Sequence, residues 1–161
     1  MRASLVALKL ALGGLEIEPA ITTRRDRTVA QRGVYLAQKA GLSLGYGFGW
    51  YGKGPFCPRL LEDLIATDEE VYAGLGGDER RLARPAAEVL VRLLPLTVPP
   101  AGMALDRLGW LDLLGTLAYL HDDAHLDTQA ARTRLGQDKP ELAVFADFAF
   151  EALGQLELLG V

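Results

Sequence analysis

Apolar residues recur every three or four positions along most of this chain, the pattern of helices that bury one face. The first such run carries Leu5, Leu8, Leu12 and Leu15, and it predicts a helix over residues 3–15. Comparable runs predict helices over 26–39, from 58 onward, over 85–94, 104–120 and 127–135, and from about 140 to near the chain end. The pattern therefore predicts a mainly helical protein.

Polar residues and prolines mark where several of these helices begin. Asp26 and Asp127 are of the residue type that caps a helix N-terminus, so we predict that each precedes a helix. Pro58 suits a first helical position, with Cys57 in the capping place. These signals set the expected starts of three helices.

The pattern changes period between residues 44 and 51. Large residues at 44, 46, 48 and 50 alternate with glycines at 45, 47 and 49, which is typical of a strand with one bulky face. We expect Gly52, Gly54 and Pro55 to end it. The predicted fold is a compact helical domain, mainly α, with one short strand or hairpin near 44–51. We predict a single domain over 1–161, because the proline-rich break at 95–100 is too small to divide it.

Composition narrows the classes of function. The 161 residues carry a formal net charge of −4, which argues against a dominant electrostatic grip on nucleic acid. The single cysteine excludes a disulfide within the chain and fits a reducing compartment. Lys9 interrupts the apolar N-terminal run, so we interpret that run as a core helix rather than a signal peptide. The apolar stretches are shorter than the roughly 18–20 residues that span a bilayer, so we expect a cytoplasmic protein without membrane contact.

Two glycine motifs suggest nucleotide binding and lack its context. Residues 47–52 match the letters GxGxxG, yet a dinucleotide site needs those glycines between a strand and a helix. Gly52 and Lys53 resemble the end of a P-loop, but Gly54 stands where Ser or Thr would hold magnesium. We expect no cofactor.

A histidine pair raises a metal hypothesis. His121 and His125 are four residues apart, so a continuing helix would place both imidazoles on one face, among neighbouring aspartates. No third ligand is evident downstream. Cys57 likewise lacks a recognisable partner for nucleophilic catalysis. A metal-dependent enzyme at His121 and His125 is therefore the least favoured alternative, and we expect no catalytic residues.

Four arginines cluster at the start of the predicted second helix. They are Arg24, Arg25, Arg27 and Arg32. Such a patch contacts phosphate backbones in some proteins and is a solvated face in more. The alternative hypothesis is therefore a DNA-binding regulator that uses this patch.

The segment from 46 to 56 concentrates aromatic residues among glycines. We expect Phe48 and Trp50 to cover the helical core. The other rings favour an exposed surface that docks a protein partner, because rigid aromatic side chains dominate many interfaces.

These segments resemble a known bacterial family. Residues 28–39 (TVAQRGVYLAQK) and 45–56 (GYGFGWYGKGPF) are similar to its helix of the type K-L-Q-K-x-x-Y-L-x-Q and its following G-Y-x-F-x-W-Y-x-Y-G-P-Y-S. Residues 110–120 and 131–140 are similar to its W-L-E-L-L and A-x-x-x-L-x-x-x-K-P patterns. The family is that of the YwgA-type uncharacterised proteins, related to the SocA-like Panacea antitoxin domain. Arg32, Lys53 and Cys57 differ from its Lys, Tyr and Ser.

The resemblance implies a helical protein that acts by binding. Better-known members neutralise a toxin or present it for degradation, so the expected partner is a toxin or a defence-system subunit. The leading hypothesis is a non-enzymatic, antitoxin-like protein-binding module. We expect its binding neighbourhood to comprise Tyr35, Trp50, Tyr51, Lys53, Pro55 and Phe56. The leucine-rich last helix could also pair with its own copy in a homodimer.

Overall fold

The computed structural model describes residues 3–19, 21–72 and 80–158. Within these ranges the fold is mainly helical, with one short antiparallel hairpin, as predicted. The helices are α1 (Ala3–Gly14), α2 (Arg24–Lys39), α3 (Pro58–Tyr72), α4 (Arg84–Leu93), α5 (Arg107–Ala118), α6 (Thr128–Asp138), α7 (Pro140–Ala143) and α8 (Ala146–Gln155), and the strands are β1 (Gly49–Tyr51) and β2 (Gly54–Phe56).

Two helices, α2 and α5, lie at the centre of the structure and pack against each other. In α2 every residue from 30 to 37 is buried, and in α5 Trp110, Leu111 and all of 113–118 are buried. The leucine stripe of α1 packs against α2, and the helix α8 packs against α5. A polar side chain in the middle of either helix therefore needs a partner inside the protein, because water does not reach it.

The start of α2 corrects one prediction. The N-cap is Thr23, not Asp26, and the helix begins at Arg24. Thr23 and Asp26 form a reciprocal capping box: the Thr23 Oγ1 accepts from the Asp26 N–H at 3.1 Å, and the Asp26 carboxylate accepts from the Thr23 N–H at 3.2 Å. Aspartate is favoured both at the N-cap and in the first turn of a helix, so residue type alone did not separate the two positions.

Two other helix starts are confirmed. Asp127 caps α6 by accepting from the Ala130 N–H at 2.7 Å. The helix α3 begins at Pro58.

The hairpin is shorter than the glycine alternation suggested and lies later in the chain. Its pairs are Gly49 with Phe56, Trp50 with Pro55, and Tyr51 with Gly54. Residues 44–48 alternate in size but form no strand, and the one strand pairing in the described part of the chain is that of β1 with β2. Pro55, which we expected to end the strand, belongs to β2, and a two-stranded sheet tolerates a proline because both strands are edges.

The helices in the last third of the chain are shorter and more often interrupted than the apolar pattern predicted. The helix α5 ends at Ala118 and continues as one wider π-type turn over Tyr119–Asp123. The single helix predicted from 140 is wrong, since α7 ends at Ala143 and α8 starts at Ala146.

Leucines on α7 and α8 already have a place in the core. Leu142 and Leu153 are buried there, while pairing of the last helix with its own copy stays a prediction. Among the described helices, none is long and apolar enough to cross a membrane.

Candidate functional site

Two glutamines on α2 hold the hairpin segment in place. The Gln31 amide donates to the Cys57 carbonyl at 3.0 Å and accepts from the Cys57 N–H at 2.9 Å. Gln38 makes the same pair of bonds with Tyr46, both at 2.9 Å. The two glutamines are seven residues apart and so lie on one helix face. Each amide pairs with a peptide as a neighbouring strand would, so both ends of the segment 46–57 are tied to the central helix.

Arg32 ties the hairpin itself to α2 and α5. Its Nε donates to the Asp112 carboxylate at 3.0 Å, and its guanidinium also donates to the Pro55 carbonyl. Two glycines make room for this side chain: a Cβ at Gly54 would overlap the guanidinium, and one at Gly115 would lie 2.9 Å from the Arg32 Cδ. Arg32 is only 8% exposed, so it acts as a structural cation beneath the hairpin.

Asp112 is shared between two cations. The Lys139 Nζ donates to the same carboxylate oxygen at 2.7 Å and to the Thr116 hydroxyl at 3.0 Å. Burial lowers the pKa of Lys139 below its usual 10.5, and the neighbouring Asp112 opposes that shift. Arg32, Asp112 and Lys139, which we call the floor triad, therefore carry one positive charge in excess.

An open groove with a volume of about 1100 Å³ lies above the floor triad. Its walls are the first turns of α2, the tip of the hairpin, the start of α5 and residues 137–141. Within the described part of the chain, the basic residues that line it are Arg24, Arg25, Arg27, Arg32, Lys53 and Lys139, and the acidic ones are Asp112, Asp138 and Glu141. The groove is thus positive in a chain whose formal net charge is −4.

The structure brings two predicted sites together at this groove. Tyr51, Lys53 and Phe56 from the expected protein-binding neighbourhood line it. All four arginines of the DNA-binding alternative line it too. Two residue sets that are separate in the sequence form one surface.

Tyr51 is the exposed aromatic of the groove. Its side chain is 56% exposed, and its ring lies edge-on to that of Phe56 at 5.8 Å between centroids. Gly52 and Lys53 form the two-residue turn beside it, in which Gly52 takes a φ of 65° that a bulkier residue adopts with strain. The turn places Lys53 in solvent at the hairpin tip.

The basic residues of the groove differ in whether another residue of the protein already binds their side chains. Arg25 pairs with Asp106 at 2.5 Å, and Arg27 donates to the Ile21 carbonyl at 3.0 Å. Arg24 and Lys53 have no hydrogen-bond or ion-pair partner among the described residues. These two exposed cations are the ones available to a ligand.

The other predicted binding residues lie beneath the surface. Tyr35 is 4% exposed and donates its hydroxyl to Asp123, while Phe48 packs edge-on to its ring at 5.1 Å. Burial, followed by the bond to Asp123, raises the pKa of Tyr35 well above its usual 10.0. Pro55 is buried as well. Tyr35 and Pro55 are therefore buried in this structure and not on the exposed surface where we expected them.

Trp50 is half-buried against the core. Its ring lies 5.6 Å from that of Tyr119, and the Arg134 guanidinium stacks over it at 5.2 Å. Phe48 also packs against the core, as expected.

The histidines do not share a helix face, because α5 ends before them. His121 lies in the π-type turn and pairs with Asp122 at 2.7 Å, while His125 is exposed with a φ of 56°, past the end of the turn. Among the described residues, no group of three or more His, Cys, Asp or Glu side chains is placed to hold a metal ion.

The remaining motifs are part of the hairpin or of the buried interior. The GxGxxG residues, 47–52, lie on the first strand of the hairpin, its turn and the two residues before it, and not between a strand and a helix. Cys57 is a buried free thiol whose backbone is bound by Gln31.

Sequence reasoning missed the residues that support the groove: Gln31, Asp112, Thr116 and Lys139. One signal was present, since Asp112 and Thr116 are polar residues four apart in an otherwise apolar helix. Such a pair faces one side and needs a buried partner.

Comparisons with protein-family models, with curated proteins and with solved structures find no match for this chain. The resemblance to the YwgA-type proteins and the Panacea antitoxin domain therefore stays a prediction.

Proposed function

We propose that this protein is a non-enzymatic, antitoxin-like binding module that grips another protein through the groove beside its hairpin. The observation that carries the proposal is the exposed Tyr51, whose ring lies edge-on to that of Phe56 at the edge of the groove. Tyrosine is among the residue types that contribute most to binding energy at interfaces.

The support beneath the hairpin favours this role. Gln31 binds the end of the hairpin segment, and Arg32 binds Pro55 from below. A surface that is already ordered loses little conformational entropy when a partner docks. The buried hydrogen bonds therefore favour affinity without touching the partner.

The expected partner is a toxin or a defence-system subunit, and the resemblance in residues 28–56 and 110–140 supports that choice. A cytoplasmic location is part of the proposal, since Cys57 is a free thiol.

The test is affinity purification of the tagged full chain from its native cells, followed by binding measurements with the purified partner. We expect Tyr51→Ala and Phe56→Ala each to weaken binding by at least about tenfold, the effect of losing an interface residue worth about 1.4 kcal/mol. Phe148→Ala is the matched control, because Phe148 is 52% exposed and does not line the groove. Equal affinities for all four proteins would refute the proposal.

The second candidate is a DNA-binding regulator, favoured by the convergence of Arg24, Arg25 and Arg27 on one groove. It predicts binding to duplex DNA that weakens steeply with salt. A fluorescence anisotropy titration with labelled duplex at low salt tests it, and absence of binding there would exclude it.

A further inference from the structure

We propose that the groove recognises an acidic segment of the partner protein, one that presents aspartate or glutamate side chains together with apolar ones. This inference rests on the proposed function and names the chemistry of its partner. It follows from three features of the groove: its reversed charge, its free cations and its charged floor.

The groove reverses the charge of the chain that forms it. Six basic and three acidic described side chains line it, whereas the whole chain carries a formal net charge of −4. Attraction between opposite charges speeds encounter and selects a partner, and like charges exclude others. The groove therefore favours an anionic ligand.

The rim offers cations that the fold does not use. Arg24 on α2 and Lys53 at the hairpin tip are exposed, and neither has a partner among the described residues. Arg25 and Arg27, in contrast, already bind Asp106 and the Ile21 carbonyl. Two carboxylates of a docked segment would form ion pairs with Arg24 and Lys53.

The floor adds to this attraction. Arg32 and Lys139 share the single carboxylate of Asp112, so the floor triad itself carries one positive charge in excess, which Glu141 at the groove wall offsets only from a distance. Both cations are more than nine-tenths buried, where salt screens charge less than at the surface.

The groove suits a protein segment better than a nucleic acid. Asp138 and Glu141 also line it, so its positive charge is interrupted, whereas a phosphate backbone presents negative charge at every residue. Tyr51, Phe56 and Leu108 provide apolar wall between the charges. Mixed acidic and apolar side chains match that alternation.

The experiment is selection of a random-peptide phage library on the immobilised full chain. We expect the retained peptides to be enriched in Asp and Glu, with apolar residues between them. Selection on the double variant Arg24→Glu/Lys53→Glu should lose that enrichment. The control Arg81→Glu/Arg92→Glu makes the same change in net charge at exposed positions outside the groove and should keep it.

A fluorescent copy of the best peptide then gives affinities by anisotropy. We expect the Arg24→Glu/Lys53→Glu variant to bind it at least about tenfold more weakly, equal to about 1.4 kcal/mol. A copy of the peptide with Gln in place of every Asp and Glu should bind the wild-type protein more weakly by a similar factor. Labelled oligothymidylate of equal length serves as the nucleic-acid probe.

Four results would overturn the inference: no retained peptide, peptides without acidic enrichment, equal losses in the two charge-reversal variants, or tighter binding of oligothymidylate. The proposed function fails separately, when the purified partner binds Tyr51→Ala and wild-type protein equally well. If binding of the partner depends on Tyr51 but not on Arg24 and Lys53, the proposed function stands and the proposed recognition of an acidic segment is refuted.

Discussion

The two halves of α2 use similar residues for opposite purposes. In the first turns, Arg24 and Arg25 extend into solvent along the groove. About two turns later, Arg32 is enclosed between Gly54 and Gly115 and bound to Asp112. Gln31 and Tyr35 beside it are buried as well. One helix therefore provides a binding surface at its start and the support for that surface in its middle.

The difference shows that residue type does not decide the role of a charge. An exposed arginine contributes little to stability, because water and salt screen its interactions. A buried arginine makes its partner carboxylate essential, because removing that partner leaves an uncompensated charge in the interior. The middle of α2 should therefore respond to substitution through stability, and its start through binding.

The largest effect should follow removal of the carboxylate that neutralises this region. We expect Asp112→Ala to lower the free energy of unfolding by about 3–5 kcal/mol, because two buried cations lose their counter-charge. Urea denaturation followed by circular dichroism measures it.

The comparison variant is Arg25→Ala, which breaks the exposed pair with Asp106. It should cost no more than about 1 kcal/mol. Similar losses for both variants would show that the two halves of α2 do not differ in this way.

Gln31→Leu tests the polar support of the hairpin. We expect a loss of about 1–3 kcal/mol, because the buried N–H of Cys57 loses its acceptor. Gln38→Leu is the matched control, since Gln38 makes the same two bonds at a half-buried position and should cost less. Denaturant midpoints of the two variants decide the order, and a reversed order would contradict the assignment.

Burial of Tyr35 in the middle of α2 should make the free energy of unfolding depend on pH in the alkaline range. Its pKa is raised in the folded protein, so above its usual value of 10.0 the unfolded chain loses a proton that the native state keeps. The stabilisation by Tyr35 is therefore present below pH 10.0 and falls as the pH rises, by at most about 1.4 kcal/mol per pH unit.

We expect Tyr35→Phe to flatten this alkaline decline in unfolding free energy relative to the wild type. Tyr46, whose hydroxyl donates to Asp63 at 2.7 Å, has a raised pKa for the same reason, so Tyr46→Phe should flatten it further. Lys139 has a lowered pKa, so its contribution to the free energy of unfolding rises with pH instead of falling. Because Lys139 is present in every protein compared, it does not affect the difference between them. An unchanged slope in Tyr35→Phe would mean that the hydroxyl ionises equally in both states.

The smallest stability effect belongs to the exposed start of α2. Arg24→Ala should change the free energy of unfolding by less than about 0.5 kcal/mol, since no described residue pairs with Arg24. The same denaturation series provides the measurement. An average substitution costs about 1 kcal/mol. A larger loss, of about 1.5 kcal/mol or more, would place Arg24 among the residues that support the groove.

Local patterns predicted most of the helices and several of their ends. The leucine stripe of α1, Pro58 at the start of α3 and Asp127 before α6 each depend on neighbours within a few positions. Asp26 shows the limit of this reasoning, since its true place is the third position of α2. The break between α7 and α8 shows it again, because both sides of the break carry helical periodicity.

The candidate site was predicted in part. Tyr51, Lys53, Phe56 and the arginines were named from their residue types, and they line the groove. Tyr35 and Pro55 were named on the same grounds and lie buried. Nothing local distinguishes the two groups, because exposure depends on which helix covers which residue.

The sequence by itself determined that this chain is helical and that its aromatic residues crowd beside a glycine-rich turn. Periodicity and turn chemistry act over a few residues and can be recognised without the fold. Only the tertiary structure decided that Arg32, Asp112 and Lys139, up to 107 positions apart, form one buried triad beneath a positive groove. The physical reason is that a buried charge is acceptable only beside its counter-charge, and that neighbourhood exists only after α2, α5 and the end of α6 have packed together.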